Sequence, residues 1–584
     1  MGMRRVFGSR RSWRILLLVI ACAQCWEWGK APPYWPHVSW DAAAADVELP
    51  FVEPKIEPIE PRSGPSDGAC AAVVDRIRAN AIAEMKATVA ANVRYARANR
   101  TCRGSVVGFG CARDAMSSMG VAAPGGDGAG ASQVSTTNNQ ITGVDEADFV
   151  KNDTKYIYVA KGSRFRIFKA WPVAEAREIV SHAIDGTARK LFVEGDRALV
   201  YSSLTSGVTS YGQGGAAAAR ECTYGYDCEV TGDGAPLKMT LFDISDRAAP
   251  KVIREMRASG SYIAARRVGT AVYTVVSSPG IRFGGLTTWS STFNDCSSSD
   301  ERVRQAIDAL VAANERTINA TPLMQLLPSV NDSSQSASVE GADNLLSDCS
   351  GFLATNLGEG STFTTVVGFD MASDKPIAMS TIVSRPGVVF ASAEALYVAV
   401  SRSRGHTTSW LSGMGDVAQA TEIHKFTLDP IAATARYAAS GVVKGRVLNQ
   451  FSMDEFRGDL RVATTLGRVP DPNVYSTLTV FGRDGERLVE RGRVDHIARH
   501  EDIRSVRFEG ERGFIVTFKK TDPLYVFDLA RPTEPRILGE LKIPGFSTYM
   551  HMMDEKHLLT IGYDAEDHGY FAYFSGILLQ IFDV

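Results

Sequence analysis

The chain has 584 residues, of which 45% are hydrophobic and 22% charged, and its formal net charge is −3. That composition can bury a large core and excludes a chain disordered throughout. The balance of 63 basic against 66 acidic residues, with no basic stripe interleaved with aromatics, gives no sign of a nucleic-acid partner.

The N-terminus carries an address. Arg4, Arg5, Arg10, Arg11 and Arg14 form a basic region ahead of the apolar run 15–21. That run is too short to span a bilayer as a stable helix, so residues 1–23 are read as a signal peptide. Val19-Ile20-Ala21-Cys22 resembles a bacterial lipobox, which makes Cys22 the expected lipidation site and membrane anchor; cleavage after Ala21-Cys22-Ala23 is the competing reading. Ser9-Arg10-Arg11-Ser12-Trp13 loosely resembles a twin-arginine signal, but a generic basic region is the better account. The expected location is therefore outside the cytoplasm, in the periplasm or on the cell surface. Nine cysteines suit that address, since an exported chain with eight left after Cys22 suggests disulfides. Cys222–Cys228 across CTYGYDC, Cys296–Cys349 closing a long insertion, and Cys102–Cys111 are the expected local pairs, with Cys70 competing for either member of the last.

Residues 24–65 are rich in Pro and Trp (WEWGKAPPYWPHVSW, then VEPKIEPIEPRSGP) and read as an extended polyproline spacer. Residues 66–103 read as one long helix opened by a Ser66-Asp67 cap, with Val73, Val74, Ile77, Ile82, Met85, Val89 and Val93 on one stripe. A Gly/Ser-rich linker at 104–137 follows. From 138 to 584 the pattern changes to short β runs: a strand, an acidic or glycine turn, a second strand, a third ending in Phe-Asp, and a Pro-marked turn into a fourth. VRFEGERGFIVTFKKTDPLYVFDLARPTEPRILGEL shows the whole plan. Copies begin near 145, 186, 260, 385, 446, 501 and 546, so the expected fold is an all-β propeller of four-stranded blades, seven by best count with eight as the alternative. The last copy stops at its third strand, leaving the fourth to be supplied by the N-terminal segment or to be lacking. An insertion at 281–360 holds Ser-rich loops and the helical stretch DERVRQAIDALVAANERTIN.

Two passages also carry a resemblance. TTNNQITGVDEADFVKNDTKYIYVAKGSRFRIFKAWP and SVRFEGERGFIVTFKKTDPLYVFDLARPTEPRILGELKIPGFSTYMHMMDEKHLLTIG are similar to a family of secreted bacterial and archaeal proteins. Its members carry a C-terminal β-propeller distantly related to the WD-repeat propellers. The resemblance covers roughly 135–584 and implies a fold and an export route, but no established activity and no catalytic residues. Relatives usually continue beyond the closing Phe-Asp-Val, which leaves the blade count at seven or eight.

Candidate chemistry is sparse. Asp145, Glu146 and Asp148 lie within four positions and are a candidate cation site, with backbone and turn bonding as the plainer account. His551, Asp554, Glu555 and His557 in HMMDEKH lack the four-residue helical spacing of a zinc pair. Tyr549 and His551 are candidates to line a central channel. Gly64-Pro-Ser66-Asp-Gly68 matches a nucleophile elbow by letters but follows a Pro-rich segment instead of a strand. His496 and His500 flank a loop. The Gly run at 125–130 lacks a strand before it, so no phosphate cradle, metal or cofactor is expected. The favoured reading is an exported, lipid-anchored propeller that binds an unidentified envelope protein or other ligand, with 281–360 as the contacting element. The rivals are a periplasmic hydrolase or metal-dependent enzyme at the channel mouth, and a passive envelope scaffold.

Overall fold

A computed structural model describes residues 56–58, 70–98, 139–204, 230, 232–278, 283–295, 298–322, 327–334, 349, 351–355, 362–403, 419–469, 471–518, 522–543, 545–567 and 572–584. All of these belong to the unit Pro50–Val584. Six antiparallel four-stranded blades follow one another, and a three-stranded seventh ends the series. Blade 1 spans Val150–Asn152 to Arg177–Ala183, and blade 2 spans Thr187–Glu194 to Lys251–Ala258. Blade 3 runs from Ser261–Val268 to Ala378–Val383, and blade 4 from Val388–Ala391 to Thr434–Lys444. Blade 5 runs from Met453–Phe456 to Arg487–Ile497, and blade 6 from Asp502–Glu509 to Arg536–Ile543. Blade 7 holds Phe546–Met552, His557–Asp567 and Ala572–Asp583. First strands begin within three residues of the expected repeat starts in blades 2, 3, 4, 6 and 7, and five and seven residues after them in blades 1 and 5.

The middle strands explain the stacking. Ala271–Ser278 (AVYTVVSS) is buried at every position, as a strand covered on both faces must be. Tyr273 and Val275 pack towards blade 4, whereas Val272 and Val276 pack towards blade 2. Each such large apolar side chain contributes about 1.5–3 kcal/mol when removed from water. The turns between first and second strands reverse tightly at Gly195, Gly269, Gly458 and Gly510, all at positive φ, which a side chain would disfavour.

Added strands decorate this plan, among them Val330–Asp332 on the outer strand of blade 2. Val144–Glu146 pairs antiparallel with Arg266–Val268 on the inner edge of blade 3. Phe352–Thr355 runs parallel to blade 3's outermost strand, and Ile56–Pro58 pairs antiparallel with it. Part of the stretch read as a spacer is thus a sheet strand; its extended backbone suits the pairing, and Pro58 lacks the N–H to prolong it. Neither of these N-terminal strands supplies a fourth strand to blade 7.

Helix α1, Ala71–Ala98, falls within the 66–103 expected, and Ser66 and Asp67 lie outside the described residues. Val73, Ile77, Met85, Val89 and Val93 are buried along its stripe. Helix α2, Asp300–Ala320, begins where the Ser299 hydroxyl accepts the Arg302 N–H at 3.3 Å, with Asp300 and Glu301 in its first turn. The two helices lie antiparallel: Arg78 donates to the Thr321 carbonyl at 3.1 Å, and Lys86 meets Glu315 at 2.7 Å.

The disulfide corrects the sequence reading. Cys349 is bonded to Cys70, not to Cys296, with a Cα–Cα distance of 5.3 Å. Cys349 stands just before Phe352–Thr355, where α1 begins, so a residue 279 positions away is its spatial neighbour. Both cysteines are fully buried. Cys296, Cys102, Cys111, Cys222, Cys228 and Cys22 lie outside the described residues.

Closing so long a loop stabilises by about 5 kcal/mol on chain-entropy grounds. Cys70→Ala is expected to lower the denaturant midpoint and to open α1 to limited proteolysis while the blades keep their β-sheet circular dichroism. Unchanged proteolysis of α1 would contradict this.

Candidate functional site

The segment 139–148 forms a strap along the inner edges of several blades. Asp148 bridges to Leu191 of blade 2, and Val144–Glu146 lies on blade 3. Gln140 donates to the carbonyls of Gln450 and Met453 in blade 5, at 3.1 and 2.8 Å. The three acidic residues diverge along this strap. Asp145 sits between Lys151 at 2.6 Å and Arg267 at 2.9 Å, and Arg267 also reaches Glu194. Glu146 accepts from the Gln450 amide with both carboxylate oxygens, at 3.1 and 2.9 Å. Asp148 accepts the Phe149 N–H at 2.7 Å, with Lys190 at 4.0 Å. Each carboxylate thus has its own cationic or amide partner. Among the described residues no three His, Cys, Asp or Glu side chains group where they could hold one metal ion.

Gln450 organises the middle of the assembly. Its side-chain oxygen accepts from Arg266 at 2.7 Å, and Arg266 also donates to the Val389 carbonyl at 3.0 Å. Blades 3, 4 and 5 and the strap are therefore joined through one half-buried polar cluster around buried Arg266. The next residue, Phe451, meets the Tyr549 ring edge-on at 6.3 Å, which brings blade 7 to the same centre. His551 lies two residues on in the same strand, and its Nδ1 is buried without a hydrogen-bond partner among the described residues. His557 and Asp554, by contrast, close an exposed turn: Asp554 accepts the Lys556 and His557 backbone N–H groups and faces the imidazole at 2.7 Å.

A second buried group went unnoticed in the sequence. Arg402 and Glu422 pair at 2.8 Å with side chains 2% and 0% exposed, and His424 lies beside them, fully buried. Their strands turn this face towards blade 3, as the neighbouring Val398, Val400 and Phe426 do. Glu422 Oε1 and His424 Nε2 are 3.9 Å apart, and neither has a hydrogen-bond partner among the described residues. His424 Nδ1 meets the Tyr437 hydroxyl at 3.4 Å. Burial holds the His424 imidazole below its ordinary range, against the pull of Glu422 and with the repulsion of Arg402. The alternation Glu422-Ile423-His424 was the available signal.

A groove lies in the insertion. In blades 2, 3 and 4 the second strand ends and the third begins on the same face. There α2 and the loop before it enclose a groove of about 470 Å³, lined by Thr287, Trp289, Ser290, Ala309, Leu310 and Thr317, among others. Trp289 is 39% exposed and rests edge-on against buried Phe293. Asn314 fixes the wall by taking both polar groups of Thr287, accepting its N–H at 3.1 Å and donating to its carbonyl at 2.8 Å. Asn92 of α1 holds the next residue through the Thr288 carbonyl at 2.8 Å. Small alanines on α2 open the groove and a half-exposed indole forms its lip, an arrangement suited to receiving an apolar side chain.

This architecture agrees with the comparison to known proteins. The family model described as "Beta propeller domain" matches residues 134–584. The chain belongs to that β-propeller family. An uncharacterized protein of Archaeoglobus fulgidus is 45% identical over 144 residues, 24% of this propeller chain and 21% of the relative. Another, of Methanocaldococcus jannaschii, is 46% identical over 127 residues, 21% of this chain and 20% of the relative. The matched stretch spans about a fifth of each relative. The helices α1 and α2 are additions to the propeller's repeating plan.

Two outcomes follow for the propeller. Asp145→Ala removes one partner each from Lys151 and Arg267, which keep the Glu146 carbonyl and Glu194, and is expected to cost about 2 kcal/mol, the weight of charged hydrogen bonds, read as a lower urea midpoint, whereas calcium and EDTA are expected to leave the wild-type midpoint unchanged. His424 has a depressed folded pKa, so its contribution is complete above its unfolded pKa of about 6.5 and is lost as pH falls towards the folded value. Stability is therefore expected to drop as pH falls below about 6.5, and His424→Gln should flatten that slope. An unaltered slope in the variant would remove His424 as the cause.

Proposed function

We propose that this chain is an exported, lipid-anchored β-propeller that binds a protein of the cell envelope through the face carrying the insertion. The observation that carries this reading is the Trp289-lipped groove, an opening held rigid from three sides. Asn314 braces it from α2, Asn92 from α1, and the Cys70–Cys349 disulfide fixes α1 to blade 3. A braced, partly apolar concavity on loops above a rigid scaffold is where propellers and other repeat folds place recognition. The inner edges of the blades, by contrast, are joined by the Arg266–Gln450–Glu146 cluster, whose polar groups are already engaged with one another.

Export and anchoring rest on other features. A buried disulfide joining distant parts of the chain fits an oxidising compartment. The basic start, the short apolar run and the cysteine at position 22 fit lipidation after cleavage. A lipid-held module with a rigid recognition face works as a binding or scaffold element.

Both parts are testable. Trp289→Ala, and separately Ala309→Arg to fill the groove, are expected to weaken capture of the crosslinked envelope partner in cells. The expected loss is about thirtyfold, the weight of an aromatic anchor of roughly 2 kcal/mol. Ile431→Lys, in a turn on the opposite face, should leave capture unchanged. Equal capture by all variants would refute the assignment of the face. Cys22→Ser is expected to abolish labelled fatty-acid incorporation and move the protein to the soluble fraction; mass spectrometry of the mature N-terminus reads the same point directly.

A further inference from the structure

The charges of α2 are sorted into rows. Residues seven apart on a helix lie on nearly one line along its axis. Glu301, Asp308 and Glu315 make one such row, and Arg302, Ala309 and Arg316 make the next. The acidic row is engaged within the protein. Glu301 meets Arg304 at 2.7 Å, and Glu315 meets Lys86 of α1 at 2.7 Å. Asp308, one turn on from Arg304, adds its charge to the surroundings of the same guanidinium. The basic row is not engaged. Arg302 and Arg316 are both exposed, and neither guanidinium has an acidic partner or a hydrogen bond among the described residues.

Ala309, midway between the two arginines, lines the Trp289 groove, and no described side chain lining that groove is charged. Its polar groups are largely spent on the walls themselves. Asn314 and Thr287 satisfy each other. The Thr317 hydroxyl donates to the Ala313 carbonyl at 3.2 Å, and the Ser290 hydroxyl accepts the Thr292 N–H at 3.3 Å. What remains for a guest is apolar surface and the indole, with an unpaired positive charge beyond each end. Such walls suit an apolar side chain and give the hydroxyls of a sugar little to bond.

We propose, resting on the reading of this groove as the recognition site, that its occupant is a short, extended, acidic segment of a partner protein. The segment places an apolar side chain against Trp289 and a carboxylate at each end, over Arg302 and Arg316. Spacing sets its length. The arginines are fourteen positions apart on α2, about 21 Å along the axis, which extended chain covers in about seven residues. An extended segment turns alternate side chains to the groove and leaves its peptide groups in water, so it needs no backbone partner from walls already satisfied. A basic segment would meet like charges at both ends, and the acidic row of α2 is held by Arg304 and Lys86 and cannot serve it.

Fluorescence anisotropy of the full chain with three labelled, end-blocked heptapeptides tests this. Each peptide carries one central phenylalanine among serines and glycines, and its end residues are both glutamate, both glutamine or both lysine. The glutamate peptide is expected to bind about fivefold tighter than the glutamine peptide, the weight of two exposed ion pairs, and the lysine peptide weakest. Added salt should narrow those gaps. Arg302→Glu combined with Arg316→Glu should invert the order, Arg302→Lys combined with Arg316→Lys should keep it, and Arg304→Gln should leave it unchanged, all with wild-type circular dichroism. Trp289→Ala should weaken all three peptides alike. Equal binding of the glutamate and glutamine peptides, or an order that survives the double glutamate variant, overturns the acidic segment, while a loss with Trp289→Ala still supports the groove. A glutamate peptide that fails to bind at millimolar concentration overturns the proposal too, and capture in cells by Trp289→Ala then decides separately whether the groove is the recognition site.

Discussion

A four-stranded sheet that is apolar on both faces has no stable existence alone, and that constraint shapes nearly everything in this chain. Ala271–Ser278 and Phe363–Asp370 carry almost unbroken apolar or small side chains because each is sandwiched between two neighbouring sheets. The alternation of strand residues then divides each blade's apolar set between its two neighbours, so six junctions are built by repetition of one arrangement. Polar brackets sit within these junctions. Glu455 of blade 5 collects Ser392, Tyr397 at 2.7 Å and Lys425 at 2.8 Å from blade 4. Arg254 of blade 2 is buried against Asp332 and donates to the Lys375 carbonyl of blade 3 at 3.0 Å. Buried charges of this kind add little net stability, but mispairing would leave them unsatisfied, so they fix which blade meets which.

The strap does the same work along the inner edges. Its sequence, NQITGVDEAD, is too polar to bury as a core strand and too short to form a sheet of its own. It gains order by pairing three residues with blade 3 while Asp145, Glu146 and Gln140 find partners on separate elements. A cluster of acids that looks like a metal site in one dimension is drawn apart by this geometry, because successive strand residues point to opposite faces. Asp145 and Glu146 accordingly meet different partners although they are adjacent.

Local features were the legible ones. Repeat starts, the α1 stripe and the α2 stretch could be read because strand alternation and helical periodicity are properties of neighbouring residues. What could not be read depended on contacts between distant positions. Cys349 looked closest to Cys296, yet folding carries it to Cys70, because Phe352–Thr355 and the start of α1 share the outer side of blade 3. Gln450 and Arg266 are unremarkable letters in their own stretches, and only the convergence of blades 3 and 5 makes them central. Glu422 and His424 were visible as polar residues in an apolar strand, but their isolation beside Arg402 follows from the neighbouring blade that buries them. Trp289 carried no motif; its meaning comes from the alanines of α2 across the groove.

The division between a closed centre and an elaborated face follows from how loops leave a blade. First-to-second turns are tight and often glycine-closed, and the third-to-fourth connections, of two to seven residues, share their face. Second-to-third connections all open on the other face, and there blades 2, 3 and 4 accept long insertions without altering any strand register. An insertion of that length gains a defined shape only if something outside the propeller holds it. α1 supplies this: its apolar stripe covers α2 and Phe293, its Asn92 and Arg78 bond the insertion's backbone, and Cys70 ties its start to the far end of the same insertion. The N-terminal helix and the blade 3 insertion are therefore one structural unit divided between two parts of the sequence, and the groove they support has its shape only when both are present.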